Sequence, residues 1–322
     1  GTRAHGSGFM ANLNTEITAN MPMPLDAARG LGALVFGDTT PSNNWTLTNN
    51  GSAANVLTLA GTASITVNAM STVTNTSSNV TISAVIDGTS GLNYYGNGVN
   101  STGTNNTSGT STLTLSGVNT YTGATNINSG TIRAANASAF GGVSGGKLTT
   151  NVVNIASGAR LILGGVNIAN TVNIYGSNAL STVSGNSTLS GIVNLNGNTN
   201  AYVNNGGNYT LTLSGTLNLS DYTFDARTSG TNNGMVISGT ITGSGASSIT
   251  KNGNGPLTIS GDGSAYSGTT SLYAGDIAVG SDTALGTGTF LIAPPNNSSV
   301  VIRSSSATAH TLPKFLAGSK SA

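Results

Sequence analysis

The stretch Leu113–Ile132 reads LTLSGVNTYTGATNINSGTI, and Leu257–Ile277 reads LTISGDGSAYSGTTSLYAGDI. A long phrase that recurs within one chain marks a supersecondary unit used more than once, and this limits the possible folds more than any single residue does. From Tyr121 to Gly141 and from Tyr266 to Gly286 the copies align without a gap. Tyr121 meets Tyr266, Gly130 meets Gly275 and Ile132 meets Ile277. A shorter phrase, Leu-Thr-(Leu/Ile)-(Ala/Ser)-Gly, starts at Leu57, Leu113, Leu211 and Leu257. Upstream of each long copy, ISAVIDGTSG (Ile82–Gly91) echoes ISGTITGSGA (Ile237–Ala246), and the first copy carries a surplus, Asn93–Gly109, that reads as an inserted loop.

Within the phrases, apolar and small polar residues alternate over four to six positions, as in Val152–Ile155 and Leu161–Leu163. Such alternation marks a strand with one buried face. Each run then meets Gly or Asn, which accept positive φ and turn the chain. No run alone can bury its apolar edge, but successive coils stacked on one another can. Their backbones pair above and below, and Leu, Ile and Val line an inner column. The fold expected is all-β, a parallel β-helix (β-solenoid) with coils of roughly 20–25 residues and an extended N-terminal strand arm. A β-sandwich or jelly roll is the alternative, but its strands would follow regular spacing without phrase repetition.

Composition then removes whole classes of function. Of 322 residues only 6% are charged, with Lys plus Arg 10, Asp plus Glu 9 and a formal net charge of +1. That inventory makes no basic patch, so phosphate-driven nucleic-acid binding is not expected. With no Cys there is neither a disulfide framework nor a thiolate metal site. No apolar run approaches the roughly 20 residues of a membrane span, so no membrane insertion of this segment is expected. The opening GTRAHGSGFM has no initiator Met and no signal-peptide pattern, and reads as a mature, processed segment of a longer exported chain.

On these residues the chain resembles the autotransporter passenger-associated β-strand repeat proteins. The strong likeness is LTLSGVNTYTGATNINSGTIRAANASAFG from Leu113 to Gly141, with a weaker copy from Leu257. The weaker copy has Asp262–Ala265 where Val118–Thr120 stand, and Asp276 where Thr131 stands. The resemblance implies an exported bacterial protein whose passenger is a right-handed parallel β-helix, and an extracellular or cell-surface location. No part of this sequence resembles the outer-membrane barrel of an autotransporter.

Chemistry-bearing residues are few. Glycoside hydrolysis needs two carboxylates across the scissile bond, yet the one Glu, Glu16, lies in the N-terminal arm. The nearest acidic pair, Asp221 and Asp225 with Arg227 in SDYTFDARTSG, reads as a solvated loop with a local ion pair. The only two His, His5 and His310, are near the termini. We therefore expect no catalytic residue, cofactor or metal, and a protein that is not an enzyme. Tyr121 and Tyr266 recur with the scaffold phrase and are expected to be structural. Tyr94 and Tyr95, in the insertion, are the candidates for ligand contact, with a surface carbohydrate as the possible ligand.

The ends differ from the body. From Ala11 to Met21, ANLNTEITANM alternates without error, carries no Gly, and runs into Pro22 and Pro24. Prolines remove ladder donors, so residues 1–24 read as an arm, a candidate donor strand with Leu13, Ile17 and Met21 as its assembly residues. The alternative is a cap folded over the first coil. Residues 25–292 read as the solenoid, and 293–322 as an incomplete C-terminal coil and candidate assembly end. Together these suggest self-association into a head-to-tail homopolymer. The function expected is an exported structural or adhesive surface protein, as the subunit of an extracellular filament. A carbohydrate-binding or carbohydrate-cleaving β-helix of the extracellular matrix is the alternative.

Overall fold

The computed structural model describes residues 5–38, 43–69, 78–99, 105–106, 111–144, 147–148, 151–203, 207–295, 299–312 and 314–317. Among them there is no helix, and the chain forms two compact units, Gly1–Ile162 and Leu163–Ala322. Each is built of parallel strands that follow one another coil by coil, a parallel β-solenoid. Antiparallel pairing among the described residues is confined to two short contacts. These are Val143–Ser144 with Lys147–Leu148, and Gly98–Val99 with Asn105–Asn106.

In the second unit three parallel sheets form the faces of the solenoid. One runs from Thr171–Ile174 to Ala265–Tyr266 and a second from Leu180–Thr182 to Lys314–Ala317. The third has seven strands, from Asn167–Ile168 to Val300–Ser304. Register partners Leu211 and Met235, Met235 and Leu257, and Leu257 and Ile277 set coils of 24, 22 and 20 residues. All four side chains are fully buried, so the apolar member of each phrase becomes one rung of an inner column. The first unit departs from the expected coil length. Leu34 pairs with Ile65, and Val80 with Leu113, so these coils take 31 and 33 residues.

The recurrent Ser-Gly has a cause that the turn argument did not supply. Ser214 N and Gly215 N both reach Leu189 O, Ser238 N and Gly239 N both reach Leu213 O, and Ser260 N and Gly261 N both reach Ile237 O. The corner is so tight that a Cβ on Gly215 would sit 2.0 Å from Gly191 O. On Gly239 it would lie 1.7 Å from Gly215 O, and on Gly261 1.8 Å from Gly239 O. These glycines do not have positive φ. They are required because backbone stacks directly on backbone where the coils turn. Positive φ is used elsewhere in the repeat, at Gly130 (72°) and Gly275 (75°).

The two long phrases share local geometry. Leu115, Ile127, Ile132, Ile259, Leu272 and Ile277 are all fully buried. Gly141 N donates to Ser138 O and Gly142 N to Tyr121 O; in the second copy Gly286 N donates to Thr283 O and Thr287 N to Tyr266 O. Tyr121 and Tyr266 are themselves core residues. The Tyr121 hydroxyl shares a 2.6 Å hydrogen bond with Thr125 Oγ1, and the Tyr266 hydroxyl accepts from Ile249 N at 3.1 Å. Burial pushes both phenols up, Tyr266 to about 12.

Three expectations are corrected. Residues 6–24 are not detached from the body. Gly6–Asn14 pairs in parallel with Arg29–Asp38 of the same chain, and Met21–Pro24 with Asn44–Thr48, so the segment is the first coil of its own solenoid. The alternation does not run through as one strand, because the chain leaves the ladder after Asn14 to turn the corner. The prolines are tolerated because, among the described residues, Met21–Pro24 pairs with a single strand, Asn44–Thr48. The insertion, finally, is not loop throughout. Leu92–Val99 is a strand, since Tyr94 enters the inner column between Ile65 and Ile127. Of the rest of the insertion, 100–104 and 107–109 lie outside the described residues.

Candidate functional site

The second unit carries its chemistry on strands Thr199–Val203, Thr223–Thr228 and Ser248–Asn252. These strands are in register so that Tyr202, Arg227 and Asn252 fall in one column. Alternation places the three on the half-buried outer face, between the buried Ala201 and Val203, Ala226 and Thr228, and Lys251.

Arg227 Nε donates to Asp225 Oδ2 at 2.6 Å, and Asn252 Nδ2 donates to Asp225 Oδ1 at 2.7 Å. Arg227 Nη1 donates to the Tyr202 hydroxyl at 3.0 Å, and the guanidinium carbon lies 5.5 Å from the Tyr202 ring centroid. Both oxygens of Asp225 are thus occupied, and the hydrogen bond that Arg227 donates to Asp225 is the main reason its guanidinium is raised further above its usual range. Arg227 remains 43% exposed at its side chain while Asp225 is 9% exposed, so the carboxylate is a buried anchor that orients an accessible fork of donors. The expected solvated loop is in fact a strand, although the ion pair itself is present.

Lys251 alternates inward, between Ala226 and Leu272 in register. It is fully buried, and its Nζ donates to three carbonyls, Asn252 O at 3.0 Å, Gly253 O at 2.5 Å and Ala274 O at 3.0 Å. Burial pulls its pKa down to about 8, against the opposing pull of Asp276 and Asp225. With every proton committed to a turn carbonyl, its role here is structural.

Beside the column are two shallow depressions that share Asn252. One, of about 510 Å³, is lined by Tyr202, Arg227, Gly253 and Asn254 among others. The second, of about 260 Å³, is lined by Asn252, Tyr273, Ala293 and Pro295. Tyr273 N donates to Lys251 O, so Tyr273 follows Asn252 onto the next coil.

Asp221 belongs to a different arrangement. It is exposed, and its Oδ1 accepts from Ser244 Oγ. Among the described residues no group of three His, Cys, Asp or Glu could hold a metal. No described helix is long and apolar enough to cross a membrane.

The sequence-derived candidates are divided by the structure. Tyr94 is fully buried and its hydroxyl donates to Ser111 O at 2.8 Å, with burial raising the phenol strongly, so it cannot meet a ligand. Its neighbour Tyr95 faces the other way and is 42% exposed. Leu13 is half-buried opposite Phe36, Ile17 is buried, and Met21 is 40% exposed, so the three do not share one free face. Ile17 N donates to Asp38 Oδ1 at 3.4 Å, and Asn43 Nδ2 donates to Ile17 O at 2.9 Å. Tyr202, Asn252 and Tyr273 escaped sequence reasoning. Their signal was the 25-residue interval from Tyr202 to Arg227 and again to Asn252.

By class, the described residues form a parallel β-solenoid. The family model of the passenger-associated-transport-repeat matches residues 102–134 and 249–279, the two long phrases. The match assigns them to a repeat type of autotransporter passengers, which are exported. Neither a curated protein nor a solved structure matches the chain.

Proposed function

We propose that this chain is a structural or adhesive protein of the bacterial cell surface, without catalytic activity, that assembles with copies of itself into an extracellular filament. The observation that carries this reading is an exposed apolar pair on the outermost strand among the described residues. There Gly6–Asn14 pairs with one strand, Arg29–Asp38, and on it Phe9 and Met10 are 53% and 55% exposed. An edge strand with unpaired backbone groups and exposed apolar side chains is a template for another strand. The donor is a second copy, pairing along this edge rather than receiving it as a detached arm. The same parallel ladder that joins coil to coil then joins subunit to subunit, and a heterologous contact of this kind propagates into a fibre.

Electron microscopy of the purified protein tests it. Fibres are expected from the unaltered chain, and only single particles from a Phe9→Glu, Met10→Lys variant that places charge on the edge. A variant that still makes the same fibres, or an unaltered chain that never makes any, removes the assembly reading. The non-catalytic part is tested separately on a panel of polysaccharides. Turnover abolished by Asp225→Ala would overturn it.

A further inference from the structure

We propose that the outer column Tyr202–Arg227–Asn252–Tyr273 is a binding groove for a neutral polysaccharide chain, lying along the direction in which the coils stack. The proposal goes beyond the scaffold reading and does not depend on assembly. The groove combines two kinds of surface that a sugar ring requires together. Tyrosines at both ends offer apolar faces for its C–H surface, and between them are donors for its hydroxyl edge. Arg227 has two of its donor groups fixed, by Asp225 and by the Tyr202 hydroxyl, and no partner for Nη2 is found among the described residues. Its orientation is therefore set before any ligand arrives, which lowers the ordering cost of binding.

The direction of the groove follows from the register. Tyr202, Arg227 and Asn252 stand on successive strands and Tyr273 on the next coil, so the column extends over three strand spacings, about 14–15 Å. The two depressions adjoin at Asn252 and continue the surface to Pro295. A site this long and this shallow suits an extended chain of rings better than a compact small molecule.

Charge decides between kinds of chain. The guanidinium of Arg227 is neutralised at 2.6 Å by the Asp225 carboxylate, and the ammonium of Lys251 is turned inward onto three carbonyls. The groove thus presents donors without an uncompensated cation. A polyanion would gain little there, while a neutral glycan meets no desolvated charge it must leave unpaired.

The test is calorimetric titration of the purified chain with cellohexaose, maltohexaose and mannohexaose, and with hexagalacturonate as the acidic probe. At least one neutral hexasaccharide should bind with a Kd below about 1 mM. Tyr273→Ala and Arg227→Lys should each weaken it at least about tenfold, the second because an ammonium cannot reproduce the fork. Val118→Ala, at an exposed residue of the first unit, should leave binding unchanged, and circular dichroism melting confirms that each variant is folded. Tyr273→Ala keeps the test decisive if changes at Arg227 disturb Asp225. The proposal is overturned if no neutral probe binds, if hexagalacturonate is preferred, or if the Tyr273 and Arg227 variants bind as the unaltered chain does.

Discussion

Lys251 carries a charge into the interior of its coil, and the sign of its effect on stability is set by the direction of its shift. Its pKa falls from 10.5 in the unfolded chain to about 8 in the fold. Below about 8 both states hold the proton and the full cost of burying the charge is present. Between about 8 and 10.5 only the unfolded state still holds it, so stability rises with pH. The buried phenols act oppositely, since Tyr94, Tyr121 and Tyr266 are all raised, but their loss begins only as pH passes the unfolded value of 10.0. Urea unfolding should accordingly show stability increasing by roughly 1–2 kcal/mol from pH 8 to pH 9.5. Lys251→Met should abolish that increase while leaving three turn carbonyls without their donor. An equal rise in the variant would show that another group is responsible. Gly239 illustrates the other extreme, a residue whose whole contribution is absence of volume. A Cβ there would lie 1.7 Å from Gly215 O, against backbone that cannot rotate aside. Gly239→Ala should therefore cost about 2–4 kcal/mol in the same assay, whereas Gly245→Ala, where a Cβ meets nothing within 4 Å, should be within about 0.5 kcal/mol of the unaltered chain.

At the scale of the strand, the outer face is held by amides instead of ion pairs. Asn126 Nδ2 donates to Asn93 Oδ1 at 2.9 Å and Asn154 Nδ2 to Asn126 Oδ1 at 2.8 Å in the first unit. In the second, Asn194 donates to Asn173 at 2.9 Å and Asn218 to Asn194 at 3.1 Å, with Thr242 Oγ1 donating to Asn218 Oδ1 at 3.3 Å. Asn126 and Asn194 each give one such bond and receive one, which a carboxylate or an ammonium cannot do. Asn194→Ala breaks two links of a ladder that is half exposed to water, so the expected loss is about 1–2 kcal/mol, read from the urea midpoint. Asn194→Asp should lose as much, because it keeps the acceptor for Asn218 and loses the donor to Asn173. The strands themselves were legible in the sequence. The period of two around Leu113, Leu211 and Leu257 marks the buried face, and the repetition of the phrase marks the stacking. The Asn ladders and the Tyr202 column were not legible. Both depend on which residue stands one coil away, and the interval varies from 19 residues (Leu113 to Ile132) to 35 (Trp45 to Val80). The first coil was misread for a related reason. Alternation through Ala11–Met21 looks the same whether the chain continues straight or turns a corner at Asn14, since a corner residue such as Ile17 is also buried.

For the whole molecule, the small number of charges becomes a statement about what holds the chain together. Of the ion pairs described, Asp26–Arg29 and Asp276–Arg303 are at partly exposed side chains, and Asp282–His310 involves an exposed carboxylate. Exposed pairs of this kind contribute about 0–1 kcal/mol each. Asp225–Arg227 is the more enclosed pair, and its carboxylate is also hydrogen-bonded by Asn252. Nearly all the remaining cohesion comes from apolar columns such as Leu211, Met235, Leu257 and Ile277, where each buried side chain contributes roughly 1.5–3 kcal/mol, and from neutral hydrogen bonds between coils. A chain with 10 basic and 9 acidic residues also has little self-repulsion for salt to relieve. Raising sodium chloride from about 0.02 to 0.5 M, which shortens the Debye length from about 20 Å to under 5 Å, should therefore move the thermal midpoint by no more than about 3 °C. By contrast, Leu257→Ala removes a rung from the inner column between Met235 and Ile277 and should lower stability by about 2–5 kcal/mol at either salt concentration. A midpoint that falls steeply with salt, or a Leu257→Ala loss that salt restores, would mean that charge, not the stacked apolar column, holds the coils in register.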